Sequence, residues 1–241
     1  MTKKVKRFEA KYLINSNIVQ DLKMSLGRVM ELDKNTDIST GQYHVESLYF
    51  ETLWDNNLNE KAFGLHDRQK LRLRLYNHDI ETLKLELKIK ENQYSTKLAA
   101  KTTKLQLKQF LRGDFTSIVE HSPRLYELII SSGRTLIPKS VVSYDRVPFY
   151  LPINNTRITL DLNIHGSTFF SSFPTNGKNY KQKLTPIFMD VLEIKYDGML
   201  PNVIGDILSN YRLNRAAISK YTLARQINHF SRFSDYPILH F

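Results

Sequence analysis

Basic and aliphatic side chains alternate in the stretch KLRLRLY, residues 70–76, and alternate again in LKLELKIK, residues 83–90. A period of two residues is typical of β-strands, because successive side chains of a strand point to opposite faces of the sheet. Residues 77–79, NHD, have the composition of a hairpin turn. These stretches therefore predict a β-hairpin with its charged side chains on one face and its aliphatic side chains on the other.

Six further stretches have the same alternation or the composition of a strand, and they complete a predicted set of eight. They are residues 7–12, 44–51, 97–103, 141–147, 157–164 and 192–196. Eight strands can close a barrel with room inside it. Helical patterns fall between the strands, at residues 16–26 with Ser16 as the cap, 105–111, 123–131, 201–208 and 215–227. The simplest interpretation is one α+β domain.

The composition excludes several classes of protein. The 241 residues include 35 Lys and Arg against 24 Asp and Glu, a formal net charge of +11, and no Cys. The lack of Cys excludes a disulfide scaffold, a thiolate zinc site and a cysteine nucleophile. No apolar segment approaches the roughly 18 residues of a membrane span, and charges stand where a signal peptide would need its apolar stretch. We therefore expect a cytoplasmic protein.

More than half of the excess positive charge lies in residues 68–104, which contain ten Lys or Arg and four Asp or Glu. In the ordinary arrangement the aliphatic face of such a sheet packs on the core and the charged face meets water. However, Arg72, Arg74 and Lys88 on neighbouring strands would repel one another without a bound anion. The alternative is a barrel with helices over its aliphatic outer face and a charged lumen, which would bind phosphates and, through carboxylates, a divalent cation.

Seven motifs carry a resemblance that covers nearly the whole chain. They are RFEAKY at residues 7–12, KLRLRLY at 70–76, LELK at 85–88, SYDR at 143–146, RITLD at 157–161, LEIK at 192–195 and SKY at 219–221. In this order they resemble the VTC domain. That domain is the polyphosphate polymerase branch of the triphosphate tunnel metalloenzymes, within the CYTH-like superfamily.

The resemblance implies a fold and a function. The fold is an eight-stranded antiparallel β-barrel, or triphosphate tunnel, with a charged lumen and helices packed outside. It would occupy residues 1–228, followed by a tail of unknown role at residues 229–241. The function is polyphosphate polymerase: the γ-phosphoryl group of ATP passes to a growing inorganic polyphosphate chain, with Mn²⁺ or Mg²⁺ as cofactor. The expected partners are ATP and polyphosphate, with no specific nucleic acid, no membrane insertion and separate membrane partners.

Carried over motif by motif, the resemblance also implies the site residues. Glu193 corresponds to the metal-binding glutamate, while Glu9 and Glu86 match acids that would hold metal-bound water or orient the lysines beside them. Three residues would bind substrate phosphate without belonging to the catalytic set: Lys101, Tyr144 and Ser219. The catalytic residues, which also bind phosphate, would be Lys11, Arg72, Arg74, Lys88, Arg146, Arg157 and Lys220.

Two other functions stay open. The first is a metal-dependent triphosphatase that hydrolyses inorganic or nucleoside triphosphates. Members of that branch have a fuller E-x-E-x-K signature, and Arg7 stands at the position of its first glutamate, which favours the polymerase. The second is a non-catalytic module that binds polyphosphate or another polyanion. Basic residues interleaved with aromatics are a nucleic-acid cue, but the presence of Glu193 argues against this class.

Overall fold

The computed structural model of the chain describes residues 7–34, 36–65, 68–91, 94–168, 170–174 and 184–230. These residues form an α+β fold with an antiparallel sheet of eleven strands and six α-helices. The strands are β1 Arg7–Ile14, β2 Glu31–Leu32, β3 Tyr43–Glu51, β4 Arg68–Tyr76, β5 Asp79–Glu91, β6 Tyr94–Lys101, β7 Ile137–Leu151, β8 Thr156–Ser167, β9 Thr185–Pro186, β10 Asp190–Asp197 and β11 Asn214–Arg215. The helices are α1 Val19–Gly27, α2 Asn56–Ala62, α3 Lys104–Phe110, α4 Pro123–Ile130, α5 Asn202–Ser209 and α6 Lys220–Phe230.

The eight long strands coincide with the eight predicted ones. The other three, β2, β9 and β11, have two residues each, which is too short for an alternating pattern to show. The strand order is β11-β1-β10-β8-β7-β3-β4-β5-β6, with β2 paired to β7 and β9 to β8. The expected count of eight is therefore wrong, and the pairing among the described residues does not close this order into a barrel.

The chain divides into two compact units. The first is built from the described residues within 7–44, 144–164 and 186–219, and the second from those within 45–143, 165–185 and 220–230. Residues 231–241 of the predicted tail lie outside the described residues, whereas residues 229 and 230 belong to α6.

The predicted hairpin of β4 and β5 is confirmed and forms the centre of the second unit. Asn77 and His78 have φ values of 50° and 57°, the left-handed conformation that a tight two-residue hairpin turn requires. Leucines of both strands are buried together with residues of α3 and α4, among them Leu107, Phe110 and Leu125. The helices therefore cover the aliphatic face of the hairpin, as expected for the arrangement with helices outside and charged side chains on the opposite face.

The first unit has a second hydrophobic core of the same kind. It joins aliphatic residues of β8 and β10, such as Leu160 and Leu192, to residues of α1 and α5, such as Leu22 and Ile204. All four side chains are fully buried. Here too the helices pack on the aliphatic face of the strands, and the charged side chains lie on the other face.

The helix boundaries needed corrections. Asn15, and not Ser16, is the cap: its Oδ1 accepts from the backbone N–H of Asn17 at 3.3 Å, and residues 16–18 form a 3-10 turn before α1. The last helix begins at Lys220 and not at residue 215, because Arg215 pairs with Tyr12 of β1. Helix α2 was not predicted. No helix in the part of the chain that the structure describes is long and apolar enough to cross a membrane.

Candidate functional site

The charged face of the second unit is almost entirely basic. Strands β4, β5 and β6 pair in register, so that opposed residues share a face. We call this surface the basic face. Because like charges on neighbouring strands repel one another, it favours a bound polyanion. Over residues 68–74, 84–90 and 95–101, which pair without a bulge, it carries nine bases and one acid: Arg68, Lys70, Arg72, Arg74, Lys84, Lys88, Lys90, Lys97, Lys101 and Glu86.

Glu86 holds three of these bases together. Its Oε2 accepts from Arg72 Nε at 2.8 Å, and its Oε1 accepts from Lys97 Nζ at 2.8 Å. Arg74 Nη1 lies 3.9 Å from Oε2, and its Nε donates to Ser47 Oγ at 3.1 Å. Burial raises the pKa of Glu86, but the three bases outweigh burial and lower the pKa to about 2. We call Arg72, Arg74, Lys97 and this ionised carboxylate the arginine cluster.

Two tyrosines lie against the arginine cluster. The Tyr49 hydroxyl accepts from Arg72 Nη1 at 3.2 Å, and the Tyr49 ring centroid is 5.1 Å from that of Tyr221 on α6. Lys70 Nζ lies 5.6 Å from the centroid of Tyr49 and 5.1 Å from that of Tyr221. An ammonium group within about 6 Å of a ring face is attracted to the ring. The two rings therefore hold Lys70 beside Arg72.

Helix α6, which begins at Lys220, is fastened to the second unit at two points. Tyr221 donates its hydroxyl proton to Glu51 Oε2 at 2.7 Å. Glu51 is fully buried, and its carboxylate also accepts from three backbone N–H groups, that of Thr52 and those of the second and third residues of α2. Arg225 forms an ion pair with Asp55. These contacts fix the first turn of the helix and therefore the backbone of Lys220.

In the first unit, acids and bases alternate across the strands. Glu9 on β1 lies opposite Lys195 on β10, and Lys11 lies opposite Glu193. Lys11 Nζ is 3.1 Å from Glu9 Oε1 and 4.0 Å from Glu193 Oε1, while Lys195 Nζ is 2.7 Å from Glu193 Oε1. Burial raises the pKa of Glu193, but Lys11 and Lys195 hold it well below its usual range. We call these four residues the glutamate cluster.

A buried ion pair lies on the same face of the first unit. Arg146 Nε and Nη2 donate to the two carboxylate oxygens of Asp161 at 2.6 and 2.8 Å. Asp161 is fully buried, and the Arg146 guanidinium lies 5.2 Å from the centroid of the Tyr144 ring. Burial lowers the pKa of Arg146, but Asp161 raises it more, so the net shift is upward. The Arg146 guanidinium is therefore kept charged at neutral pH.

The donor chemistry of the glutamate cluster fits a hard divalent cation. Glu193 is only 7% exposed and is ionised. The Glu9 carboxylate lies close to it, because both carboxylates contact Lys11. Ionised carboxylate oxygens are the ligands that Mn²⁺ and Mg²⁺ prefer. The contacts of Lys11 and Lys195 with Glu193 are both made to Oε1. In the arginine cluster both oxygens of Glu86 are bonded, Oε2 to Arg72 and Oε1 to Lys97, an arrangement that orients these bases.

The predicted residues of the second unit do not all contact one another. Arg72, Arg74 and Glu86 are brought together in the arginine cluster. Lys88 and Lys101 share the basic face but are exposed, and Lys101 also lines a separate cavity of about 480 Å³. Lys220 is half-buried at the first position of α6.

The predicted residues of the first unit form two contacting groups. Lys11, Glu9 and Glu193 belong to the glutamate cluster. Tyr144 and Arg146 lie together on β7. Arg157 lies opposite Lys195 of the glutamate cluster and has its guanidinium 5.4 Å from the Tyr150 ring centroid. Ser219 is half-buried between β11 and α6.

Five residues at these sites were missed from the sequence: Tyr49, Lys70, Lys97, Asp161 and Lys195. All five lie on predicted strands, and for Lys70, Asp161 and Lys195 the alternation also predicts the face of the sheet. What could not be known was the register that sets Lys97 near Glu86, or Lys195 opposite Glu9. Tyr49 carried no signal of its own, since an aromatic residue on a strand is usually a packing residue.

Comparison with known proteins defines the class. The sequence profile of the VTC domain matches residues 6–229. The chain therefore belongs to the VTC domain family, and the resemblance to that domain is confirmed. No curated protein sequence matches the chain.

Two solved structures share the fold at low sequence identity. One is "a putative adenylate cyclase" from Bacillus halodurans, 16% identical, with 93% of this chain and 95% of that chain covered and a TM-score of 0.53. The other is a "putative adenylyl cyclase" from Hippeastrum with a dominant triphosphatase activity, 14% identical, with 92% and 96% covered and a TM-score of 0.55. At these identities the likeness shows the fold alone.

Proposed function

We propose that this protein is an ATP-dependent polyphosphate polymerase. It transfers the γ-phosphoryl group of ATP to the end of a growing inorganic polyphosphate chain. The observation that carries the proposal is the basic face, where nine bases and one acid lie on three neighbouring strands. Such a face is unfavourable without a polyanion, and membership of the VTC family favours polyphosphate as that polyanion.

In this proposal the eight long strands close into a tunnel with a charged lumen. The support comes from each unit taken by itself: helices cover the aliphatic face of the strands, and charged residues of the opposite face, such as Glu86, Arg74 and Glu193, are largely buried. Buried charges on a face without helices are expected of a lumen rather than of an outer surface.

The basic residues bind the phosphates of both substrates. Arg72 and Arg74 present planar guanidinium groups, which grip nonbridging phosphate oxygens with two hydrogen bonds. Glu86 orients Arg72 and Lys97 for this contact. The remaining phosphate-binding residues are Lys11, Lys88, Lys101, Tyr144, Arg146, Arg157, Ser219 and Lys220.

Glu193, with Glu9 beside it, would hold Mn²⁺ or Mg²⁺. Such a cation neutralises phosphate charge and makes the γ-phosphorus a better electrophile when it is bound. The chain's own contribution here is an ionised, nearly buried carboxylate. Lys11 and Lys195 keep that carboxylate ionised.

The transfer step needs positioning more than acid–base chemistry. An oxygen of the terminal polyphosphate group attacks the γ-phosphorus and forms a new P–O–P linkage. The bond between the γ-phosphorus and the β–γ bridging oxygen breaks, and ADP leaves. Since the attacking oxygen is already ionised, no general base is required. The bases align two anions that would otherwise repel each other and stabilise the charge of the loose transition state.

Triphosphate hydrolysis is the second candidate, because the Hippeastrum protein with this fold has a dominant triphosphatase activity. Hydrolysis would place a water molecule where the polymer end attacks. Arg7, which lies opposite Asp197 at the start of β1, replaces the first glutamate of the hydrolase signature and favours transfer to a polymer.

The polymerase proposal also includes a cytoplasmic location, separate membrane partners and no specific nucleic acid.

Labelled ATP distinguishes these reactions. We expect that purified protein with Mn²⁺ moves label from the γ-phosphate of ATP into long polymer on a gel, while label at the α-phosphate stays in ADP. Arg72→Ala should lose the polymer, whereas Arg124→Ala, a change at an exposed arginine of α4, should keep it. Label recovered only as orthophosphate would establish the hydrolase. No reaction with retained polyphosphate binding would establish the binding module.

A further inference from the structure

Tyr49 lies against the phosphate-binding arginine Arg72 and has no role in the proposed transfer. It is 5% exposed, and its hydroxyl oxygen accepts from Arg72 Nη1 at 3.2 Å. The other side of the same guanidinium is bonded to Glu86, through Nε at 2.8 Å and Nη2 at 2.7 Å. The phenol oxygen therefore occupies the side of Arg72 that is turned away from Glu86, where a phosphate oxygen would have to bind.

The surroundings of Tyr49 are cationic on one strand and aromatic on one helix. Lys70, Arg72 and Arg74 of β4 face it, and Tyr221 of α6 packs on its ring. The nearest acids have other partners: Glu86 of β5 is bonded to Arg72, and Glu51 accepts from Tyr221. The phenol oxygen therefore lies among cations and can itself carry a negative charge on this side of Arg72.

We propose that Tyr49 is a positioning residue of the phosphate site, whose hydroxyl oxygen stands in for a phosphate oxygen on Arg72 and yields that place when phosphate binds. The inference rests on the proposed function for the identity of the ligand. Tyr49 is not part of the seven family motifs. When it is ionised, its phenolate is an anion of the protein itself that lies against Arg72 of the arginine cluster. Burial raises the pKa of Tyr49, but Arg72, Lys70 and Arg74 together lower it to about 7.

The protonation state of Tyr49 therefore affects how tightly phosphate binds. Below pH 7 Tyr49 is a neutral phenol, and the arginine cluster presents its full positive charge. Above pH 7 the phenolate neutralises part of that charge and competes with phosphate for Arg72. Binding of phosphate then requires Tyr49 to take up a proton. Between pH 6 and 8 this linkage weakens phosphate binding by about tenfold, if only the protonated form binds.

Tyrosinate absorbance near 295 nm tests the first half of the inference without any ligand. Wild-type protein should show one tyrosine that ionises near pH 7, and Tyr49→Phe should lose this transition. Tyr126→Phe, in the half-buried face of α4, is the matched control and should keep it. Absence of a tyrosine that ionises below about pH 9 in the wild type would overturn the inference, whatever reaction the protein catalyses.

Calorimetric binding of tripolyphosphate tests the second half. We compare the ratio of wild-type to Tyr49→Phe affinity at pH 6 and pH 8, because this ratio cancels the ionisation of the ligand itself. The variant should bind about as tightly as wild type at pH 6 and about tenfold more tightly at pH 8. A tyrosine with a merely structural role would instead weaken binding at both pH values when truncated.

The failures of the two proposals are distinguishable. Tight binding by both proteins with a ratio that does not change with pH would overturn the role of Tyr49 and leave the phosphate site in place. A wild-type protein that binds no tripolyphosphate at either pH would overturn the phosphate site, and the role of Tyr49 with it.

Discussion

Glu86 shows how a single residue fixes the geometry of the arginine cluster. Its carboxylate is 4% exposed and bonds to Arg72 and Lys97, with Arg74 at 3.9 Å. A buried carboxylate with three cationic neighbours is stabilised in its ionised form. The same contacts prevent the three bases from turning away from one another, so Glu86 contributes both to stability and to the shape of the basic face.

The pKa of Glu86 predicts how stability changes with pH. Because the pKa falls from 4.5 to about 2 on folding, the stabilisation is present above pH 4.5 and is lost as pH falls toward 2. Glu86→Gln should lower the free energy of unfolding by on the order of 2 to 3 kcal/mol at pH 7. Urea unfolding of wild type and variant at several pH values measures the difference.

The difference should shrink steadily below pH 4.5, and Glu81→Gln, at an exposed position of the same strand, should show no comparable effect. An equal loss of stability at pH 7 and at pH 3 would mean that packing, and not the charge of Glu86, is responsible.

Glu193 is the residue on which the proposed metal dependence rests. Replacing its carboxylate by an amide in Glu193→Gln keeps the size of the side chain but removes the charge that a cation requires. Several kcal/mol of transition-state stabilisation should be lost, which corresponds to a decrease in turnover of more than about 100-fold. Polymer formation and the thermal unfolding midpoint are measured together.

We expect turnover to disappear while the protein stays folded, with Glu31→Gln on exposed β2 as the matched control. A Glu193→Gln protein with unchanged activity would remove the metal site from this residue. Manganese binding by the variant at wild-type affinity would have the same consequence.

At the scale of elements, buried leucines of the β4–β5 hairpin form a large part of the hydrophobic core of the second unit. Leu85 is fully buried between the sheet and the helices that cover it. Leu85→Ala should destabilise the protein by about 3 kcal/mol, because it removes buried methyl groups and leaves a cavity. Leu105→Ala on α3, where the leucine is 69% exposed, should change stability by less than about 0.5 kcal/mol.

Urea unfolding of both leucine variants measures this contrast. Equal effects of the two substitutions would contradict the assignment of the aliphatic face of β4 and β5 to the core.

The elements that could be predicted are those with a long alternating pattern. Five of the eight long strands were predicted from a period of two, as in residues 70–76, and the other three from the composition of a strand. Helix α2, with the polar sequence NNLNEKA, has no apolar stripe to recognise. Arg215 was wrongly placed in the predicted helix, because its pairing with Tyr12 of β1 is a tertiary interaction that the local sequence does not encode.

At the scale of the whole molecule, the net charge of +11 is concentrated and not spread. The basic face of the second unit has nine bases and one acid, whereas charges of the two signs alternate in the glutamate cluster of the first unit. The sequence placed the charges on the correct faces but could not reveal this difference, since strand register decides which charges meet. Lys97 and Lys195 were missed for that reason.

The central claim is that the γ-phosphate of ATP ends in a polymer. Phosphorus NMR of wild-type protein with ATP and Mg²⁺, which avoids the line broadening of Mn²⁺, follows every phosphate at once. The account predicts that ADP appears together with a growing signal of internal polyphosphate groups, in a ratio close to one. Orthophosphate appearing in that same ratio to ADP, without internal polyphosphate groups, would contradict it.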